Sequence, residues 1–223
     1  MSKLPQDPEG FIRANTALDV PAMVPEFRLW LASEYVPIWQ ATEAWLEEQN
    51  VDPPYWAFCW PGGQAVARYL LDNPELVRSK RVIDFAAGSG VSSMAAARCG
   101  AASVIANDID QLSLVAARLN ATANGLSIET SSEDWLAGVP GNPAADVVIA
   151  GDVCYEREMS AQALAWLRGH AARGRLVLLG DPGRNYFSAQ GLEERGRYEI
   201  PTSLQLENRG MRETVVWRVL PVS

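Results

Sequence analysis

The sequence predicts an α/β fold: a mostly parallel sheet covered by helices on both faces, with an antiparallel C-terminal hairpin. Three observations carry this. From residue 81 onward, short β-type runs alternate with helical patterns, which is the order of βαβ units. The runs Arg81–Ala86, Asp146–Ala150 and Arg175–Gly180 are nearly continuous in apolar residues, as central strands buried on both faces require. Finally, Tyr198–Leu204 and Glu213–Leu220 follow one another with no helical pattern between them, so they can pair only antiparallel.

The N-terminal residues are expected to form a helical extension, 1–52, ahead of one domain, 53–223. Residues 1–10 read as frayed and Phe11–Thr16 as a helical turn. Phe27–Leu31 alternates as an extended segment, and Ile38–Glu48 carries apolar residues at helical spacing. Pro53–Gly63, PPYWAFCWPGG, holds four aromatics and three prolines. One reading makes the aromatics core, and the other makes them a wall over a ligand pocket, with Trp60 and Gln64 facing it. Gln64–Asp72 reads as a helix ending before Asn73-Pro74.

The predicted order then runs strand Arg81–Ala86, helix Val91–Arg98, strand Ala102–Asn107 and helix Asp110–Ala123, which stops at Asn124-Gly125. Strand Leu126–Thr130, strand Asp146–Ala150, helix Met159–Ala171 and strand Arg175–Gly180 follow. Tyr186–Arg195 reads as a further helix before the closing hairpin.

Composition narrows the function. The chain has 223 residues, 48% hydrophobic and 21% charged, enough for a sizeable core. A net charge of −8 argues against nucleic acid as a partner and suits a basic substrate. Cys59, Cys99 and Cys154 form no C-x-x-C pair, so neither a disulfide framework nor a metal site is expected, and a cytoplasmic setting fits. His170, the single histidine, is expected as a cation at a helix C-terminus, which excludes Ser–His–Asp chemistry. No run suits a membrane span, the N-terminus is unlike a signal peptide, and a monomer is the default.

The stretch RVIDFAAGSG at 81–90 joins a strand to a helix through a glycine turn. Such a corner lets backbone approach a ligand and offers unpaired helix N–H groups. Asp84 before the glycines would repel a pyrophosphate and favour a cation. The stretch resembles motif I of the class I methyltransferases: Asp84, Gly88 and Gly90 match, while Ala86 replaces the first glycine. The resemblance implies S-adenosylmethionine as cofactor.

Asp108 ends the next strand, 18 residues after Gly90, where an acid can receive ribose hydroxyls. Asp110 reads as the cap of the following helix. In methyltransferases the loop after the third strand commonly holds adenine. Asp134 can accept its amine there, and Trp135 can wall the ring. Asp152 and Tyr155 in GDVCY, and Asp181 in GDPGR, fall at the carboxyl ends of two central strands, where open α/β sheets place their ligands.

PYWAFCWPGGQAVARYLLDNPELV, VIDFAAGSG, ANDID, GDVCY and GDPGR together resemble the electron transfer flavoprotein β-subunit lysine methyltransferases, from about Pro53 to the C-terminus. Cys154 stands where the wider group of lysine methyltransferases usually has Phe. The resemblance implies methylation of lysines on the flavoprotein β-subunit. Asp152 would orient the amine, Tyr155 would shape the channel and Asp181 would assist. A small-molecule N-methyltransferase, a ribosomal-protein methyltransferase and an inactive methyltransferase-like binding module remain open alternatives.

Overall fold

The computed structural model describes residues 4–32, 53–137, 144–202, 207 and 210–221. The helix expected at Ile38–Glu48 lies outside the described residues.

Helix α1 (Pro8–Asn15) begins earlier than the expected Phe11. Asp7 caps it by accepting the Gly10 N–H at 2.9 Å, and Pro8 occupies the first turn, where a missing N–H costs nothing. Strands β1 (Ala17–Asp19) and β2 (Leu29–Leu31) form a small antiparallel pair. A 3-10 turn at Tyr55–Ala57 leads to helix α2 (Pro61–Asp72).

Next come β3 (Arg81–Phe85), α3 (Val91–Arg98), β4 (Ser103–Asn107), α4 (Gln111–Ala123) and β5 (Glu129–Ser131). They are followed by β6 (Val147–Gly151), α5 (Arg157–Ala172), β7 (Leu176–Asp181), β8 (Leu192–Pro201) and β9 (Met211–Val219).

The main sheet has seven strands in the order β5-β4-β3-β6-β7-β9-β8. Strands β3 to β7 run parallel to one another. β9 inserts antiparallel between β7 and β8, so the expected hairpin closes the sheet.

Side chains alternate between two cores with the strand period of two. Val82, Val147, Ile149 and Leu178 point to α2 and α3. Ile83, Val148, Ala150, Val177 and Leu179 point to α5. The N-terminal segment is part of this packing: Phe27 and Leu29 join the first core, and Ile12 packs with Trp56 and α4.

Two expectations are corrected. Tyr186–Arg195 is not a helix; turns lead to Gly191 at φ +71°, and β8 starts at Leu192. The Glu and Arg residues there suit a helix, but backbone pairing with β9 overrides that weak preference. His170 is not a helix-end cation. It is fully buried, and burial with Arg175 and Arg173 nearby lowers its pKa to about 4. No described helix is long and apolar enough to cross a membrane.

Candidate active site

The sheet order reverses at β3, whose two neighbours are β4 and β6. The crevice beyond the carboxyl ends of these strands is where such sheets bind ligands. Ala86 and Gly88 have φ of +55° and +50°, and Gly90 of +77°. The turn therefore bends through left-handed backbone, including at the alanine that replaces the first glycine. A Cβ on Gly88 would meet nothing within 4 Å, so the backbone there lies open. A Cβ on Gly90 would lie 2.8 Å from the Ala117 Cβ, so this glycine lets α4 pack against the turn.

Asp108 braces the turn. Its Oδ2 accepts the Gly88 N–H and its Oδ1 the Asp110 N–H, both at 3.0 Å. Asp110 in turn caps α4 through the Leu112 N–H, as its position predicts. Asp84 is buried and accepts the Ser93 hydroxyl at 2.7 Å.

Burial raises the Asp84 pKa to about 7, with the charge of Asp108 adding to it. Burial likewise raises Asp108 to about 6. Two desolvated acids beside an open glycine turn are what a hydroxyl-bearing, cationic ligand would relieve. S-adenosylmethionine fits this donor and acceptor set.

In the loop after β5, Asp134 Oδ1 accepts the Leu136 and Ala137 N–H groups. Trp135 is buried, stacked on Trp166 with centroids 5.9 Å apart, and its Nε1 donates to Glu133. Its ring belongs to the core on the α5 face.

The ends of β6 and β7 meet the start of α2 through glycines. A Cβ on Gly62 would fall 2.4 Å from the Gly180 carbonyl and 2.5 Å from Asp152 Oδ2. A Cβ on Gly151 would fall 2.5 Å from the Gly63 nitrogen. The Gly-Gly pair, which reads locally as a helix breaker, instead lets the helix start sit on two strand ends. α2 accordingly begins at Pro61, not Gln64.

Asp152, at φ +58°, caps that helix from a distance. Its Oδ2 accepts the N–H groups of Gly62 and Gly63 at 2.5 and 3.2 Å. Its Oδ1 accepts Nε and a terminal nitrogen of Arg184 at 3.1 and 2.6 Å. Burial raises this carboxyl above its ordinary range, against the pull of Arg184 and the Gly62 amide, and the four N–H donors around it suit the carboxylate form.

Arg184 also pairs with Glu207 at 2.7 and 3.0 Å, and Glu207 pairs with Arg212 at 2.8 Å. Burial opposes the Arg184 charge, but Asp152 and Glu207 outweigh it and hold the guanidinium above its ordinary range.

Asp181 Oδ1 accepts the Gly183 and Arg184 N–H groups, both at 2.7 Å. Among the described residues its Oδ2 is buried and has no N–H or hydroxyl donor, the Cys154 thiol being its one polar neighbour. Burial and the nearby Asp152 charge raise its pKa to about 6. Cys154 lies against it, and burial with that carboxyl pushes the thiol up to about 12.

Aromatic rings line the outer side of this edge. Tyr155 is 44% exposed and 5.7 Å from Tyr55, which lies 6.1 Å from Trp60. Arg184 sits over the Trp60 ring at 5.5 Å. Gln64 does not serve as a wall: it is buried and ties the Cys59 carbonyl to the Met23 N–H. Tyr55, Arg184 and Ile109 were not singled out by sequence reasoning. Ile109 is 63% exposed, and an isoleucine directly after the Asp108 strand tip was the available signal.

The strand order and this carboxyl-edge site define an S-adenosylmethionine-dependent methyltransferase of class I. Residues 68–153 match the ribosomal protein L11 methyltransferase family. The fold is shared with ribosomal protein L11 methylase of Lactobacillus delbrueckii: TM-score 0.50, 21% identity, 71% of this chain and 78% of that one. It is also shared with magnesium protoporphyrin IX methyltransferase of Synechocystis: TM-score 0.52, 20% identity, 70% and 77% covered.

The electron transfer flavoprotein beta subunit lysine methyltransferase of Xenopus laevis is 36% identical, over 96% of this chain and 87% of the relative. The human one is 33% identical, over 96% and 84%. The chain belongs to the electron transfer flavoprotein β-subunit lysine methyltransferase family.

Proposed function

We propose that this protein transfers methyl groups from S-adenosylmethionine to lysine side chains of the electron transfer flavoprotein β-subunit. The observation that carries this is similarity along nearly the whole chain to relatives named for that activity. The match to ribosomal protein L11 methyltransferases spans only residues 68–153; it covers the cofactor corner and stops before Asp181, so it does not favour a ribosomal substrate.

Bound S-adenosylmethionine supplies an activated methyl group on a sulfonium. Asp108 receives the ribose hydroxyls, because each oxygen has spent one lone pair on a backbone N–H and keeps another. Gly88 keeps the turn open, Gly90 seats it on α4, and Asp84 supplies negative charge. Asp134 keeps Oδ2 for the adenine amine, Trp135 backs that loop from the core, and Ile109 offers the base an apolar face. Trp60 closes the side toward α2.

Asp181 and Tyr155 face the methyl acceptor. Asp181 Oδ2 needs a donor, and an amine can provide one. Tyr155, with Tyr55 and Trp60, walls the lysine stem and excludes water. Asp152 acts differently from the sequence expectation: a carboxylate accepts about four hydrogen bonds, and all four are taken. It holds the edge together and is not the amine's direct partner.

Residues 1–52 are read as an extension of the 53–223 domain, with Phe27 and Leu29 packed into its first core. The free thiols support a cytoplasmic setting, and the net charge of −8 supports a partner other than nucleic acid.

The test is incubation with tritiated S-adenosylmethionine, purified flavoprotein and a panel of small amines. Label on the β-subunit supports the proposal, and label only on soluble amines refutes it.

A further inference from the structure

The turn after β7 carries a cation whose place in the site has a consequence for the reaction. Asp181 Oδ1 takes the N–H groups of Gly183 and Arg184. This turn aims the Arg184 side chain back across the strand ends. Its guanidinium forks onto Asp152 on one side and Glu207 on the other, and lies 5.5 Å over the Trp60 ring. Side-chain exposure is 15% for Arg184, 11% for Asp152 and 3% for Glu207. Removing one partner from such a desolvated network is strongly unfavourable, so the arginine is a resident of the site and does not leave for the substrate.

The carboxylate, the aromatic face and the half-closed edge would otherwise suit a lysine ammonium. An ammonium cannot attack a methyl group, because its nitrogen has no lone pair. The reference pKa is near 10.4, and each free carboxylate beside a lysine raises it further. A fixed positive charge beside the acceptor has the opposite effect.

We propose that Arg184 is a positioning residue that keeps Asp152 occupied and sets a positive charge beside Trp60, so that Asp181 is the carboxylate left to the substrate lysine and the amine gives up its proton to bulk water at a lower pH than it would beside two free acids. This inference rests on the lysine-methyltransferase reading. It goes beyond it by assigning part of the control of amine protonation to a residue that pairs with Asp152 and Glu207.

Among the described residues, these charged and titratable groups stand around Arg184. Asp152 from the end of β6 and Glu207 pair with it directly. Arg212 on β9 balances Glu207. Asp181 at the end of β7 lies one turn away. Tyr155 and Tyr55 face each other at the rim, and burial first, then the Tyr55 and Asp108 neighbours, push Tyr155 up to about 12. The Cys59 thiol is likewise pushed to about 12 by burial and Asp152, so it stays protonated. Among these described residues, Arg184 and Arg212 pair with Asp152 and Glu207, and Asp181 is the acid left to the substrate amine.

The experiment compares the pH dependence of kcat for methyl transfer to the flavoprotein β-subunit in wild type, Arg184→Gln, Arg184→Lys and Glu207→Gln. Cofactor affinity is measured by calorimetry alongside. Loss of the Arg184 charge is expected to move the ascending limb of Arg184→Gln up by about one pH unit or more, about tenfold in rate at fixed pH on the limb. Arg184→Lys keeps the limb near the wild-type position.

Glu207→Gln removes a neighbouring negative charge and moves the limb down. Opposite shifts cannot come from general damage. If Arg184→Gln does not fold, the direction of the Glu207→Gln shift decides alone. Limbs that coincide in all folded variants, with rates lowered evenly at every pH, overturn the proposal. A wild-type protein that binds cofactor but methylates no lysine refutes the functional reading, and this inference with it.

Discussion

Gly62→Ala tests whether α2 is seated on the strand ends as described. The added Cβ would sit 2.4 Å from the Gly180 carbonyl oxygen, 2.5 Å from Asp152 Oδ2 and 2.7 Å from the Asp152 nitrogen. Two of these atoms are backbone, and the third is pinned by Arg184. Ordinary contact begins at 3.4 Å, so the helix start must retreat by about 1 Å. That retreat breaks the Gly62 and Gly63 bonds to Asp152.

Overpacking costs about 1–3 kcal/mol and a lost helix cap about 1 kcal/mol, so about 3 kcal/mol in all. For a chain of this size, that is about 6–12 °C in Tm. Thermal unfolding measures it, with Gly174→Ala as control. Gly174, unlike Gly62, has a positive φ, +78°, but open space around its Cβ position, so only the backbone penalty of about 1–2 kcal/mol applies. If Gly62→Ala loses no more stability than Gly174→Ala, the packing argument is refuted.

Three further outcomes follow from the acids. Asp108 ionises with a pKa of about 6, and ribose hydroxyls favour its charged form, so cofactor affinity should rise about tenfold from pH 5 to 7.5. Asp108→Asn should weaken binding and flatten that rise in calorimetry; an undiminished slope would remove Asp108 from the cofactor site.

Asp84 binds its proton up to about pH 7 when folded but only to about 4 when unfolded. Its stability contribution is therefore intact at low pH and is lost as pH rises from about 4 to about 7, by up to about 4 kcal/mol. Asp84→Asn, which keeps an acceptor for Ser93, should gain on wild type across that window without cofactor. Urea midpoints at pH 5 and pH 8 showing a constant gap would contradict this. Asp181→Asn should lower kcat by about a hundredfold or more with cofactor affinity unchanged, and near-normal turnover would take Asp181 out of the chemistry.

What the sequence made legible was what local chemistry determines. Apolar runs marked β3, β6 and β7, Gly88 and Gly90 marked the left-handed turn between β3 and α3, and Asp110 marked the start of α4. Two adjacent β-type runs marked the hairpin, though not that β9 would sit inside β8. The misses are long-range. Asp152 and Gly62 are 90 residues apart, so no local pattern links the strand-end acid to the helix it caps. The Arg184 partners are similarly remote in the chain. At 192–197, LEERGR has helix-favouring residues, and only its pairing with β9 makes it a strand. His170 reads as a helix C-terminal cation because its burial under Trp166, with centroids 4.1 Å apart, is tertiary.

The central claim is methyl transfer to lysine on a protein. The most direct measurement is the mass of the purified flavoprotein β-subunit after incubation with this protein and S-adenosylmethionine, followed by peptide mapping. The account predicts whole-methyl mass increments localised to lysine side chains, absent when Asp108→Ala replaces wild type. An unmodified β-subunit, in the presence of wild-type protein that calorimetry shows to bind the cofactor, would contradict it.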